Sequence, residues 1–148
     1  MKTEPRVAEP TDVDSLARLC AEVQAWHSEN YPEVFQPDPP FAELADFFRA
    51  QLANDQVRIW VIDADGQVAA YLFARLLNRA DGLFHRARRR LMVEHIATDS
   101  RARRRGHARA LLREAEAYAV AEGCADIFLD TWEKNEGAQA TFATAGLT

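Results

Sequence analysis

Residues 91–123 read LMVEHIATDSRARRRGHARALLREAEAYAVAEG, and their pattern decides the fold. The first eight are mostly apolar and include β-branched Val93, Ile96 and Thr98, so 91–98 is expected as a strand. After Gly106 the apolar spacing becomes helical. Ala108, Leu111, Leu112, Ala115, Tyr118 and Ala119 share one face, and Gly123 closes the run. A second strand is expected at 125–131. Strand, helix and strand in that order form a β-α-β unit, with the helix packed on one face of a sheet.

Upstream, Thr11 is placed to cap a helix with Val13, Leu16, Leu19, Cys20, Val23 and Trp26 on its inner face. Tyr31-Pro32 ends it, and 30–40 reads as a loop. Asp38, ahead of Pro39-Pro40, starts a second helix with Phe41, Leu44, Ala45, Phe48 and Leu52 in one stripe. Residues 57–62 and 68–76 alternate as strands around an Ala64-Asp65-Gly66 turn, the mark of a hairpin. Residues 78–89 read as a basic loop. Beyond 131, Glu136 to Ala145 spans a short helix that Gly146 closes. The order is α, α, β, β, β, α, β, α, with room for an early strand around residues 6–9. These elements predict a single α/β (α+β) domain with a mixed, mostly antiparallel sheet and helices on both faces.

At 148 residues the chain is long enough for one core. No apolar run approaches the roughly 18 residues of a membrane span, and the first ten residues lack the apolar core of a secretory signal. Cys20 and Cys124 read as buried free thiols without metal-ligand neighbours, which implies a reducing, cytoplasmic setting and no metal. Net charge is −5, yet nine of the 18 basic residues lie between positions 86 and 109. They are Arg86, Arg88, Arg89, Arg90, Arg101, Arg103, Arg104, Arg105 and Arg109, opposed in that stretch only by Glu94 and Asp99. A positive patch on an acidic protein predicts a small polyanion held at one place. A nucleic-acid partner is disfavoured, since only Phe84 supplies an interleaved aromatic ring.

The turn 103–108, Arg-Arg-Arg-Gly-His-Ala, is where that anion would sit. The first N–H groups of a helix have no internal partners and carry the positive end of its dipole. Gly106 and small Ala108 permit close approach of phosphate oxygens, with the arginines adding charge. No G-K-[ST] or G-x-G-x-x-G string offers a rival phosphate loop.

Three pieces of sequence, in order, resemble the GCN5-related N-acetyltransferase (GNAT) family. Arg103, Gly106 and Ala108 match its [Q/R]-x-x-G-x-[G/A] signature. Asn135, Ala138, Phe142 and Gly146-Leu147 are similar to its N-x-x-A-x-x-F-Y-x-x-x-G-F segment. The stretch 27–35, HSENYPEVF, looks like the helix-to-loop entry of one bacterial subgroup. The resemblance implies acetyl-CoA as co-substrate, lying in a gap where the strands at 91–98 and 125–131 splay apart. The pantetheine arm would pair with main-chain groups at Ile96, Ala97 and Thr98, the pyrophosphate would rest on Arg104, Arg105, Gly106, His107, Ala108 and Arg109, and Asn135 would reach the arm. The acceptor would be a small-molecule or peptide amine, acetylated directly without a covalent intermediate.

Such a transfer needs a base for the amine and a proton for the thiolate. Glu94 is the candidate base. Period-two alternation puts it on a face with Met92, Ile96 and Thr98, opposite Leu91, Val93, His95 and Ala97. Apolar neighbours would raise its pKa as a base requires; the competing reading is an ion pair with a nearby arginine such as Arg90, and a water-relayed base stays open. His95 reads as structural. Phe142 stands where the family pattern usually has Tyr, so the general acid is unassigned. Tyr118 reads as core, and Tyr31 and Tyr71 qualify only by reaching the gap. A non-catalytic acyl-CoA-binding or sensory domain is therefore the alternative. Trp26, His27, Tyr31, Phe35 and Phe41 gather near the first loop, where Trp26 reads as core and His27 and Tyr31 as lining for the acceptor, and Trp132 is expected to wall the gap. The family's last strand is not found after Gly146-Leu147. That leaves a sheet edge to be filled by unseen residues or by a homodimer along 125–131, unless the domain is minimal.

Overall fold

The computed structural model describes residues 4–129. The expected helix at 136–145, together with Trp132, Asn135, Ala138 and Phe142, lies outside the described residues. The elements are β1 (Arg6–Val7), a 3-10 turn at Pro10–Asp12, α1 (Val13–Asn30), α2 (Phe41–Leu52), β2 (Val57–Ala64), β3 (Gln67–Arg79), β4 (Arg88–Thr98), α3 (His107–Ala121) and β5 (Asp126–Leu129). One sheet runs in the order β1-β2-β3-β4-β5. Its pairs are antiparallel except the last, β4 with β5, which is parallel because α3 carries the chain back across the sheet.

The hairpin turn sits where the sequence places it. Asp65 and Gly66 have φ of +53° and +78°, and Ala64 faces Gln67 across a two-residue loop. Positive φ at both central residues gives the loop the hand of the strand twist, which is why Asp-Gly is suited to it. α3 also ends as expected, with Gly123 at φ +71° and Cys124 N–H returning to Ala119 O at 2.9 Å.

Helices cover both faces. α1 and α2 pack Leu16, Leu19, Cys20, Ala45 and Phe48 onto Ile59, Val61, Tyr71 and Phe73. α3 packs Leu111, Leu112, Ala115 and Ala119 onto Trp60, Leu72, Leu91 and Val93 on the other side. Burying each such Leu, Ile or Phe contributes about 1.5–3 kcal/mol, so both faces of β3 are tied down. Tyr118 joins this second group, its ring 5.3 Å from that of Trp60.

Several boundaries differ from the sequence reading. Thr11 does not cap α1; Asp12 organises that start, accepting from Glu9 N–H at 2.7 Å and from the Arg6 guanidinium at 2.9 and 3.0 Å. Arg6 also reaches Asp63 at 2.7 Å, so one guanidinium ties β1, the turn and β2 together. Asp38 is a left-handed turn residue at φ +42°, and Pro40 occupies the position before α2. The basic loop is shorter than 78–89, because Asn78 pairs with Arg89 and Arg79 with Arg88. Side-chain bonds such as Arg89 Nε to Asn78 Oδ1, at 2.8 Å, hold these polar strand ends without apolar alternation. Trp26 is half-buried beside His27 and Tyr31 and belongs to neither core group. Cys124 is also only half-buried, whereas Cys20 is buried.

Candidate functional site

The turn after β4 has the geometry of an anion cradle. Asp99 accepts from Arg101 N–H at 2.9 Å and closes a 3-10 turn over Ser100–Ala102. The chain then passes through Arg104 at φ +67° and Gly106 at φ +81° before α3 begins at His107. Left-handed φ is unfavourable for an arginine by about 1–2 kcal/mol, a cost typically retained where main-chain N–H groups must converge. Alternation of handedness along a turn makes such a nest, and here it adjoins the free N–H groups and dipole of α3. Arg103, Arg104, Arg105 and Gly106 are exposed around it, and Ala108 lies half-buried at the helix start.

The arginine cluster divides into two sets. Arg90 forks onto Asp126 at 2.7 and 2.8 Å, Arg88 adds to it at 3.6 Å, and Arg89 meets Glu122 at 3.2 Å. Arg101 and Arg18 share Asp99, whose carboxyl they hold far below the usual carboxylate range, with Arg101 the larger cause. Glu122 and Asp126, distant in sequence, neutralise Arg88, Arg89 and Arg90, and the nearby Asp99 neutralises Arg101, so four of the nine arginines are paired. Arg86, Arg103, Arg104, Arg105 and Arg109 have no carboxylate partner among the described residues. Four of those five flank the turn.

His107 differs in exposure from the turn residues before it. Its side chain is buried one turn before Leu111, with neither ring nitrogen hydrogen-bonded. Burial, and then the Arg105 charge, depress its pKa. Only its main-chain N–H faces the nest by virtue of the helix start.

β4 carries a bulge. Phe73 pairs with His95 and Ala74 with Val93, which leaves Glu94 without an opposite residue. An inserted residue breaks strict alternation. Leu91, Val93 and Ile96 therefore face α3, while Ala97 packs with α1 and α2. His95 turns to that second face too, its ring 6.4 Å from Phe48, 5.2 Å from Phe73 and stacked at 6.3 Å on Phe47. It does not share a face with Leu91 and Val93, as uninterrupted alternation requires. Parallel pairing with β5 reaches Val93–Leu129 and goes no further among the described residues.

Glu94 is half-buried and ion-paired, its Oε2 accepting from Arg75 Nε at 3.3 Å and Nη2 at 3.2 Å. Arg75, not Arg90, is its partner, and Gln51 of α2 holds the same guanidinium at 3.0 Å. His27 lies close enough to His95 to disfavour its protonation. Its Nδ1–H donates to Val23 O at 2.9 Å, and its ring contacts Trp26 at 5.2 Å and Phe35 at 4.7 Å. Tyr31 joins this aromatic group, 6.3 Å from Trp26. Phe41 stays exposed outside it. Tyr71 is fully buried and reaches open space nowhere, so it does not qualify as a direct acid. Sequence reading missed Phe47, Gln51 and Arg75, and only the bulge, invisible in one strand's pattern, brings them to Glu94 and His95. Among the described residues, no group of His, Cys, Asp or Glu is arranged to hold a metal ion, and no helix is long and apolar enough to cross a membrane.

A mixed sheet with α3 crossing between two parallel strands, and an anion nest at that crossing, defines a class. The chain belongs to the acetyltransferase (GNAT) family, whose model matches residues 20–147. It is similar to N-acetyltransferase family 8 member 3 of Rattus norvegicus, 26% identical over 132 residues, or 88% of this chain. The chain spans 56% of that relative's length, about half. Its fold matches the BH1408 protein from Bacillus halodurans with a TM-score of 0.86 at 21% identity, covering 97% of this chain and 92% of that one. It also matches the aminoglycoside N-acetyltransferase AAC(6')-Iy in complex with CoA, with a TM-score of 0.74 at 18% identity, covering 98% and 87%.

Proposed function

We propose that this protein is an N-acetyltransferase that moves an acetyl group from acetyl-CoA directly to an amine. The observation that carries the reading is the nest at Arg104 and Gly106, opening α3 after β4. A nucleotide pyrophosphate suits the nest, and an amide-rich pantetheine arm can pair with strand main-chain groups. Ile96, Ala97 and Thr98 would hold the arm, and residues 104–109 the pyrophosphate, with Asn135, Ala138 and Phe142 contributing from the following segment. The family resemblance supports acetyl-CoA, as does the CoA held by the aminoglycoside enzyme of like fold. The amine acceptor is supported by the N-acetyltransferase relative and by the amines of aminoglycosides.

Glu94 is proposed as the base. It lies at the β4 bulge, and its ion pair with Arg75 fixes its direction. Removing a proton from the incoming ammonium exposes the lone pair that attacks the thioester carbonyl. His27 and Tyr31 are proposed to line the acceptor's side of the site. The ion pair itself favours a second reading, a non-catalytic acyl-CoA sensor in which Glu94 is purely structural. An amine panel separates the two: acetyl-CoA is supplied in excess and release of the free CoA thiol is followed. Amine-stimulated release is the expected result. Tight acetyl-CoA binding with no stimulation by any amine rejects the enzyme reading and leaves the sensor.

A further inference from the structure

Beside Glu94 lies a second charge that the transfer scheme above leaves without a task. Arg75 of β3 directs Nε and Nη2 onto a single carboxylate oxygen, Glu94 Oε2, at 3.3 and 3.2 Å, and Nη2 also donates to Gln51 Oε1 at 3.0 Å. Arg75 Nη1 and Glu94 Oε1 make no hydrogen bond among the described residues. Of those residues only His107 has side-chain nitrogens or oxygens that are both buried and unpartnered, so Nη1 and Oε1 reach solvent. The two side chains keep 27% and 24% of their surface exposed. A guanidinium and a carboxylate thus lie side by side, each engaged through part of its charged group and neither sealed.

Their surroundings are built by three elements. Phe73 and Arg75 are two apart on β3 and share its face, with the guanidinium 5.6 Å from the Phe73 ring centre. Phe47 and Gln51 are four apart on α2 and stand one turn from each other. Gln51 holds Arg75, while the Phe47 ring lies 6.0 Å from Phe73 and 6.3 Å from His95, the residue after Glu94. Phe47 is 38% exposed, which leaves apolar surface within one helical turn of the residue that holds the guanidinium.

The charges select among amines. A polycation brought to Glu94 meets the Arg75 guanidinium next to it and is repelled. An acceptor that carries a carboxylate beside its amine meets the opposite sign at both places, and a guanidinium with an open N–H edge is well shaped for a carboxylate. An α-amino acid holds its ammonium and carboxylate on one carbon, and two side chains in contact at 3.2 Å match that close spacing.

We propose that the acceptor is a free α-amino acid, its ammonium on Glu94, its carboxylate on Arg75 Nη1 and its side chain beside Phe47. The proposal rests on the N-acetyltransferase reading and narrows it to one substrate class. Glu94 accepts one proton from R–CH(NH3+)–COO− and passes it to water. The amine attacks the thioester carbonyl, the C–N bond forms and the C–S bond breaks. The second nitrogen proton reaches the departing thiolate through water. The products are R–CH(NHCOCH3)–COO−, CoA–SH and one proton released. Gln51 is a positioning residue that keeps the guanidinium in place. The acetylated product has lost the ammonium that Glu94 attracts, which favours its release.

The test follows thiol release by the intact chain with acetyl-CoA. The common amino acids are screened together with simple amines, polyamines and an aminoglycoside. The best amino acid is then compared with its carboxamide and with the amine left when its carboxylate is removed. Referred to the unprotonated amine, kcat/KM is expected to be about 100-fold higher for the amino acid than for either analogue. Arg75→Gln is expected to bring that ratio down to about unity, and Gln51→Leu to lower it part of the way. A role for Arg75 in directing Glu94 alone lowers the rates on all three compounds together, so a ratio that survives Arg75→Gln overturns the assignment. An active wild type that prefers the carboxamide, the bare amine or a polycation sinks this proposal and leaves the transfer reading standing. A wild type that binds acetyl-CoA and acetylates no amine defeats the transfer reading, and this inference with it.

Discussion

Glu94 shows how one inserted residue rewrites a site. In strict alternation it shares a face with Ile96, and His95 faces away. The bulge opposite Phe73 and Ala74 instead puts Glu94 and His95 together, against Arg75, Phe47 and Phe48. Nothing in residues 91–98 signals this, because a bulge depends on the partner strand's register. The choice of Glu94 was legible; its partner was not, since Arg75 lies 19 residues earlier. Glu94→Gln keeps a hydrogen bond to Arg75 and removes the charge that accepts a proton. Turnover is expected to fall about 100-fold with acetyl-CoA affinity unchanged, as judged by thiol release and a binding titration. Unchanged turnover would remove Glu94 as base.

The elements were read more easily than their ends. α1, α2 and α3 have apolar stripes, and the Asp65-Gly66 hairpin has the residues its backbone demands. The ends of β3 and β4 escaped because polar side chains, not apolar ones, pair there. The basic cluster misled for a similar reason. Asp126 stands 36 residues from Arg90, beyond any local window. What remains unpaired is concentrated at the turn before α3, and that supports a division of labour in which main-chain groups grip and arginines attract. Replacing Arg104 and Arg105 together by Ala is expected to weaken acetyl-CoA binding about tenfold at low salt, with the difference shrinking as ionic strength rises. Equal affinity at low salt would mean that the main-chain nest suffices without them.

Across the whole molecule, one buried and one half-buried histidine make the fold acid-sensitive. His95 and His107 have pKa values lowered by burial from the ordinary 6.5. As pH falls below about 6.5 the unfolded chain takes up these protons first, so it binds more protons than the fold and stability drops. The lowered carboxyls of Asp12, Asp99 and Asp126 act lower down, where their protonation below about pH 3.8 removes further stability. The melting temperature is therefore expected to hold above pH 7, decline between pH 6.5 and 5, and decline again in strong acid. His107→Leu removes an unpartnered buried ring of similar volume and is expected to raise the unfolding free energy above pH 7 by about 1–2 kcal/mol while flattening the first decline. A first decline that persists unchanged in both His107→Leu and His95→Gln would refute this assignment.

The central claim is that the nest opening α3 binds acetyl-CoA. Calorimetric titration of the intact chain with acetyl-CoA tests it most directly. One saturable site per chain is predicted, weakened by salt and by the Arg104 and Arg105 replacement. No heat of binding up to about 1 mM ligand would contradict it, since affinity weaker than roughly 4 kcal/mol is too little for a built cofactor site.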